Sequence, residues 1–146
     1  MRNAYSSLIA TKLSDCTTAG AMTLSYFRAY FGYAQSSDLL IVGFADSEHE
    51  PSEYMIISRE MEPTETRLTH IEISGQQRSA YGGVDAIKLY SRSVEFQFSL
   101  STADALGTRE IFAIELRLRD DVLDEIAVVL AEIAGDVFSD LRDWDV

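Results

Sequence analysis

The chain has 146 residues, 47% of them hydrophobic, and carries 24 acidic against 12 basic side chains, a formal net charge of −12. That length and apolar content suit a single domain with its own core. The charge argues against direct binding of a nucleic-acid backbone or an anionic membrane surface, both of which select Lys and Arg clusters. It admits a basic protein partner, and equally a soluble protein kept dispersed by self-repulsion. Cys16 is the single cysteine, so an intrachain disulfide and a thiolate zinc cluster are excluded.

Residues 1–21 are rich in Ser, Thr and Ala with scattered hydrophobes. They read as an N-terminal extension or peripheral element ahead of one domain over 22–146. The apolar run from Tyr5 to Ala10 is short and broken by Ser6 and Ser7, so neither a secretion signal nor a membrane span is expected. Residues 24–34 are dense in Tyr and Phe, with Phe27, Ala29 and Phe31 alternating with Tyr26, Arg28 and Tyr30. This is strand patterning. After polar residues 35–38, residues 39–45 read as a second strand, so the two form a hairpin. Gly32 and Gly43 are expected to mark bulges or close packing. An aromatic strand can stack bases or sugars, but little positive charge accompanies this one, which favours a core role.

Residues 46–51 are a loop, 54–59 a short strand, and 60–65 a second loop interrupted by Pro63. The window 46–65 holds seven acids and one base, the sharpest charge concentration in the chain. Asp46, Glu48, Glu50, Glu53, Glu60, Glu62 and Glu65 are either two solvated loops or a surface that meets Lys and Arg of a partner, where opposed charge speeds encounter and sets specificity.

Residues 67–74 form a further strand through Leu68, Thr69, Ile71 and Ile73. Tyr81-Gly82-Gly83 is a tight turn; it lacks the glycine spacing and the Lys-Ser/Thr pair of a phosphate loop. Strands 85–91 and 94–100 form a hairpin through Arg92 and Ser93, with Val94, Phe96, Phe98 and Leu100 on one face. Ser101 is placed to cap a helical turn that Leu106 and Gly107 end. Strand 110–118 repeats the alternation through Phe112, Ile114, Leu116 and Leu118. A helix over 121–134 then presents Val122, Leu123, Ile126, Val129, Leu130 and Ile133 as an apolar stripe, with Asp120 or Asp121 as N-cap and Gly135 as C-cap. Phe138, Leu141 and Trp144, at three-residue steps, suggest a further helical turn or two. The expected fold class is α+β: a mostly antiparallel β-sheet with one face packed by a C-terminal amphipathic helix.

No catalytic constellation stands out. His49 and His70 are the only histidines, and neither lies in a ligand motif. Asp46, Glu48 and Glu50 alternate, but the loop lacks the twelve-position calcium pattern. The reading is of a non-enzyme with no catalytic residues, no cofactor and no metal.

One family resemblance emerges from these pieces. Gly43-Phe44-Ala45-Asp46, the strand at 54–59, Tyr81-Gly82-Gly83, the hairpin leading into 94–100, the turn at 103–107 and the closing strand and helix together resemble the Immunity protein 10 family of bacterial polymorphic toxin systems, over 23–134. The resemblance implies a cytoplasmic antidote that binds and neutralises a cognate toxin domain. An acidic antidote would suit a basic nuclease toxin, through the seven acids named above. The alternatives are a small enzyme with a pocket between sheet and helix, an oligomerisation module, and an acidic adaptor for some other basic protein. The toxin's chemistry and the oligomeric state are not encoded in any motif.

Overall fold

Alternating apolar residues sort the chain into strands, and the strands sort into two sheets rather than one. The computed structural model describes residues 25–61 and 68–142. The first sheet is five-stranded, in the order β1 (Ser25–Ala29), β9 (Ile111–Leu116), β8 (Ser93–Phe98), β7 (Val84–Leu89), β10 (Phe138–Asp140). The second runs β2 (Phe31–Ser36), β3 (Leu39–Ala45), β4 (Tyr54–Glu60), β5 (His70–Ile73), β6 (Ser79–Tyr81). The second sheet is antiparallel throughout. The first is antiparallel at its centre, and both its edge strands pair parallel: β1 with β9 and β10 with β7. The α+β class therefore holds, with strands predominant.

Two departures explain the second sheet. The aromatic run expected as one strand is two, broken at Tyr30, where the chain leaves the first sheet and enters the second. The Tyr30 amide already donates to the Ala45 carbonyl at 3.0 Å, which starts the β2–β3 pairing. The tail expected as helix instead makes a 3₁₀ turn at Gly135–Val137 and then β10. Trp144, residues 1–21 and Tyr26's side chain lie outside the described residues.

The two inner faces make one core. Phe44 of β3 meets Phe96 of β8 edge-on with ring centroids 6.4 Å apart, and Phe96 stacks on Phe98 at 6.0 Å. Ile57, Ile71, Ile87, Leu89, Val94 and Ile114 are fully buried around them. Each such side chain contributes roughly 1.5–3 kcal/mol by leaving water.

Helix α1 (Leu100–Leu106) closes one end of this core. Its N-cap is Ser99, not Ser101, and the Ser99 hydroxyl accepts from the Thr102 amide. An inward Thr102 explains the shift: it is buried, and its hydroxyl donates to the Gly82 carbonyl at 3.1 Å. The Tyr81-Gly82-Gly83 turn docks here. Gly83 has φ +78°, and a Cβ on it would lie 1.8 Å from Thr102 Oγ1, so only glycine fits. Gly107 ends α1 in the left-handed region, and Arg78 finishes the cap: its Nε donates to the Leu106 carbonyl at 2.8 Å.

Helix α2 (Asp120–Ala134) packs chiefly on β2, β3 and β10. It does not simply cross the β7–β8–β9 face, which the second sheet helps to cover. Leu123, Ile126, Leu130 and Ile133 are its buried stripe. Close approach to β2 depends on Gly32, where a Cβ would sit 2.7 Å from Leu118 Cδ1 and 3.0 Å from Ile126 Cδ1. Gly43 has no such role: it lies in regular register between Tyr33 and Ile56, without a bulge. The N-cap of α2 is Arg119, with no side-chain cap bond; Asp120 and Asp121 sit instead in the first turn, where the helix dipole favours them. Arg59 Nη2 reaches from β4 to the Glu132 carbonyl at 2.6 Å and ties the second sheet to the helix C-terminus.

Candidate functional site

Of the acidic residues singled out in the sequence, the five that the structure describes fall at opposite ends of one strand. The loop 46–53 joins β3 to β4, whereas Glu60 is the last residue of β4. Six residues of strand, Tyr54 to Arg59, lie between Glu53 and Glu60, a span of about 23 Å at the usual rise. Glu62 and Glu65 follow Glu60 and lie outside the described residues.

Within the loop the four acids do different things. Asp46 is half-buried and braces the turn: Oδ1 accepts from the Ser52 amide at 3.1 Å, Oδ2 from the Ser52 hydroxyl at 2.6 Å, and its own amide donates to the Glu53 carbonyl at 3.0 Å. Glu53 lies near Arg78, whose guanidinium burial pulls below its ordinary value while the charge of Glu53 opposes that pull. Glu48 and Glu50 are exposed. They are the acids of this loop most available to a partner, and Glu50 has the left-handed φ of +51°.

Next to Glu48 the outer face of the second sheet is apolar. Phe31 and Tyr33 of β2 stand on one side, and Tyr54 and Ile56 of β4 on the other. Between them β3 offers Ile41, Gly43 and Ala45, the last two too small to fill the gap. The pairing sets Tyr33 opposite Gly43 and Gly43 opposite Ile56, with Phe31, Ala45 and Tyr54 forming the next row. The result is a trough of about 460 Å³, low at Gly43 and Ala45, walled by large residues, and closed at one end by Ser47, Glu48 and Pro51. It opens on the outside of the sheet, not between sheet and helix.

Sequence reasoning missed this face, although a signal was present. Leu39-Leu40-Ile41-Val42-Gly43-Phe44-Ala45 has no polar alternation at all, a pattern that belongs to strands covered on both faces. Here the core covers the inner face, and among the described residues nothing covers the outer one.

The histidines do not converge. His49 is in the loop before β4, whereas His70 pairs with Ser58 near the far end of β4, its ring 4.7 Å from that of Tyr81. Among the described residues no three His, Cys, Asp or Glu side chains gather to hold a metal ion. Among the same residues no helix is long and apolar enough to cross a membrane.

The sequence pattern of the family described as Immunity protein 10 matches residues 27–124. The chain belongs to the Immunity protein 10 family. The matched stretch runs from the end of β1 to the first turns of α2. It contains the Tyr-Gly-Gly turn docked on α1, the Phe44–Phe96 core contact, the acidic loop at 46–53 and the apolar trough. No curated protein and no solved structure matches the chain significantly.

Proposed function

We propose that the chain is a non-catalytic immunity protein that binds and neutralises a cognate toxin domain, with an acidic surface at its contact. The observation that carries this reading is the match to an immunity-protein family over residues 27–124. The net charge of −12 supports a partner with exposed Lys and Arg, and a toxin that cleaves nucleic acid would present such a surface in its substrate groove. Glu48 and Glu50, exposed beside the trough, form the leading edge of the contact. Asp46 and Glu53 shape the loop behind them, Glu60 extends the negative field to the other end of β4, and Glu62 and Glu65 are counted with it as partner-binding residues. Residues 22–146 act as one domain, residues 1–21 are an extension to it, and the protein works in the cytoplasm.

Co-expression with the toxin encoded beside it tests the reading. The chain should restore growth and co-purify with the toxin in a fixed stoichiometry. Growth arrest in the presence of abundant, folded chain would overturn it.

A further inference from the structure

We infer that the trough floored by Gly43 seats an apolar side chain projecting from the toxin domain, an aromatic or long aliphatic residue with Lys or Arg beside it. The inference rests on the immunity reading and adds to it the contact that anchors the complex.

Gly43 is a glycine the fold does not require. Its φ is outside the left-handed region. A Cβ there would meet Met55 O at 3.8 Å and Ile56 Cγ1 at 4.0 Å, both ordinary contacts. Gly32 and Gly83 differ, since each is held by an approach that a side chain would block. Glycine weakens a strand interior, and its presence there without a bulge or a crowded neighbour marks a place where something else comes close. What its missing side chain leaves is the floor of the trough.

The walls are set before any partner arrives. The Tyr54 hydroxyl donates to Glu72, and the Tyr33 hydroxyl donates to Gln35. Gln35 Nε2 in turn donates to Ser37 Oγ at 2.8 Å. Fixed aromatic walls lower the ordering cost of binding, and a preformed aromatic pocket is where interface energy concentrates.

Charge selects the occupant. Glu48 is the one charged residue lining the trough among the described residues, and exposed Glu50 lies two positions on. A second copy of this chain would bring the same acids against these, which like charge opposes. An apolar tip with basic flanks satisfies both the walls and the rim.

The test uses the full chain and the toxin domain encoded beside it, titrated by calorimetry. Gly43→Phe fills the trough, Tyr33→Ala removes a wall, and Lys88→Ala alters the opposite sheet. The first two should keep the wild-type melting temperature and lose affinity by roughly 30-fold or more, the scale of a hot-spot loss; Lys88→Ala should bind as wild type. Unchanged affinity in a folded Gly43→Phe overturns the trough and leaves the immunity reading standing. A wild-type chain that binds no toxin overturns both. A wild-type dimer that Gly43→Phe dissociates without loss of toxin affinity assigns the trough to a second copy and also overturns the inference.

Discussion

The two sheets share a core and differ in what they turn to solvent. On the first sheet, Lys88 of β7 stands opposite Glu95 of β8, and Arg28 of β1 opposite Glu115 of β9. Glu115 binds Arg28 Nε at 2.9 Å and Arg117 Nε at 2.7 Å; the hydrogen bond from Arg117, aided by the charge of Arg28, holds its carboxyl below the usual range. This is how a sheet face is made compatible with water. On the second sheet the equivalent positions are Phe31, Tyr33, Ile41, Tyr54 and Ile56, with Tyr33 still 43% exposed. Among the described residues that apolar face is uncovered beside Glu48, which supports the toxin contact proposed above.

The largest expected effect falls on what the sheets have in common. Phe96→Ala empties the centre of the core and should cost about 3–5 kcal/mol. Urea unfolding should remain a single transition at a lower midpoint, since one core serves both sheets. Separate transitions would show that the sheets are less coupled than the Phe44–Phe96 contact implies. Gly43→Phe comes next and should separate the faces: binding falls by roughly 2 kcal/mol or more while stability holds. Gly32→Ala should do the reverse. Its new methyl presses on Leu118 and Ile126, costing about 1–3 kcal/mol of stability with toxin affinity unchanged for the folded fraction. Reversing both Glu48 and Glu50 to Lys should slow association roughly tenfold at low salt, the two rate curves converging as salt screens the field. Equal slopes against ionic strength would remove these acids from the rim.

The smallest effect is a pH dependence on the first sheet's edge. The hydrogen bond from Arg142 holds Asp140 below its ordinary value of 3.8, and Arg142 also binds Asp124 of α2 at 2.7 Å. A depressed folded-state value means the stabilisation is complete above the unfolded value and is lost as pH falls through the folded one. Because the carboxylate is partly solvent-screened, Asp140→Asn should cost under about 1 kcal/mol at neutral pH, and the difference from wild type should vanish in strong acid. A constant gap across that acid limb would assign the loss to packing.

The sequence was most legible where local pattern and environment coincide. Residues 39–45 are β3 with those bounds, and Gly82 and Gly83 both take positive φ as the turn demands. Tyr30 was opaque because period two continues across it, and a strand changing sheets leaves no mark in alternation. Phe138 was opaque because β10 has three residues, and its parallel pairing to β7 is a non-local choice. Caps were misread where a neighbour overrode propensity, as buried Thr102 did in moving the α1 cap to Ser99. For the site, the acids were visible as charge, and so was their division between two loops flanking one strand, but the bracing of the first loop by Asp46 was not. The trough was hidden because its residues resemble core, and only the sheet pairing shows that no described residue covers one side of them.

Hydroxyl-radical footprinting of the full chain, free and saturated with its toxin domain, tests the contrast between the faces most directly. Tyr33 should lose most of its reactivity in the complex, while Tyr81, 70% exposed on the far edge strand β6, and the Arg28–Glu115 face keep theirs. Unchanged reactivity at Tyr33, with protection on the charged face of the first sheet, would contradict the assignment of the apolar face as the contact surface.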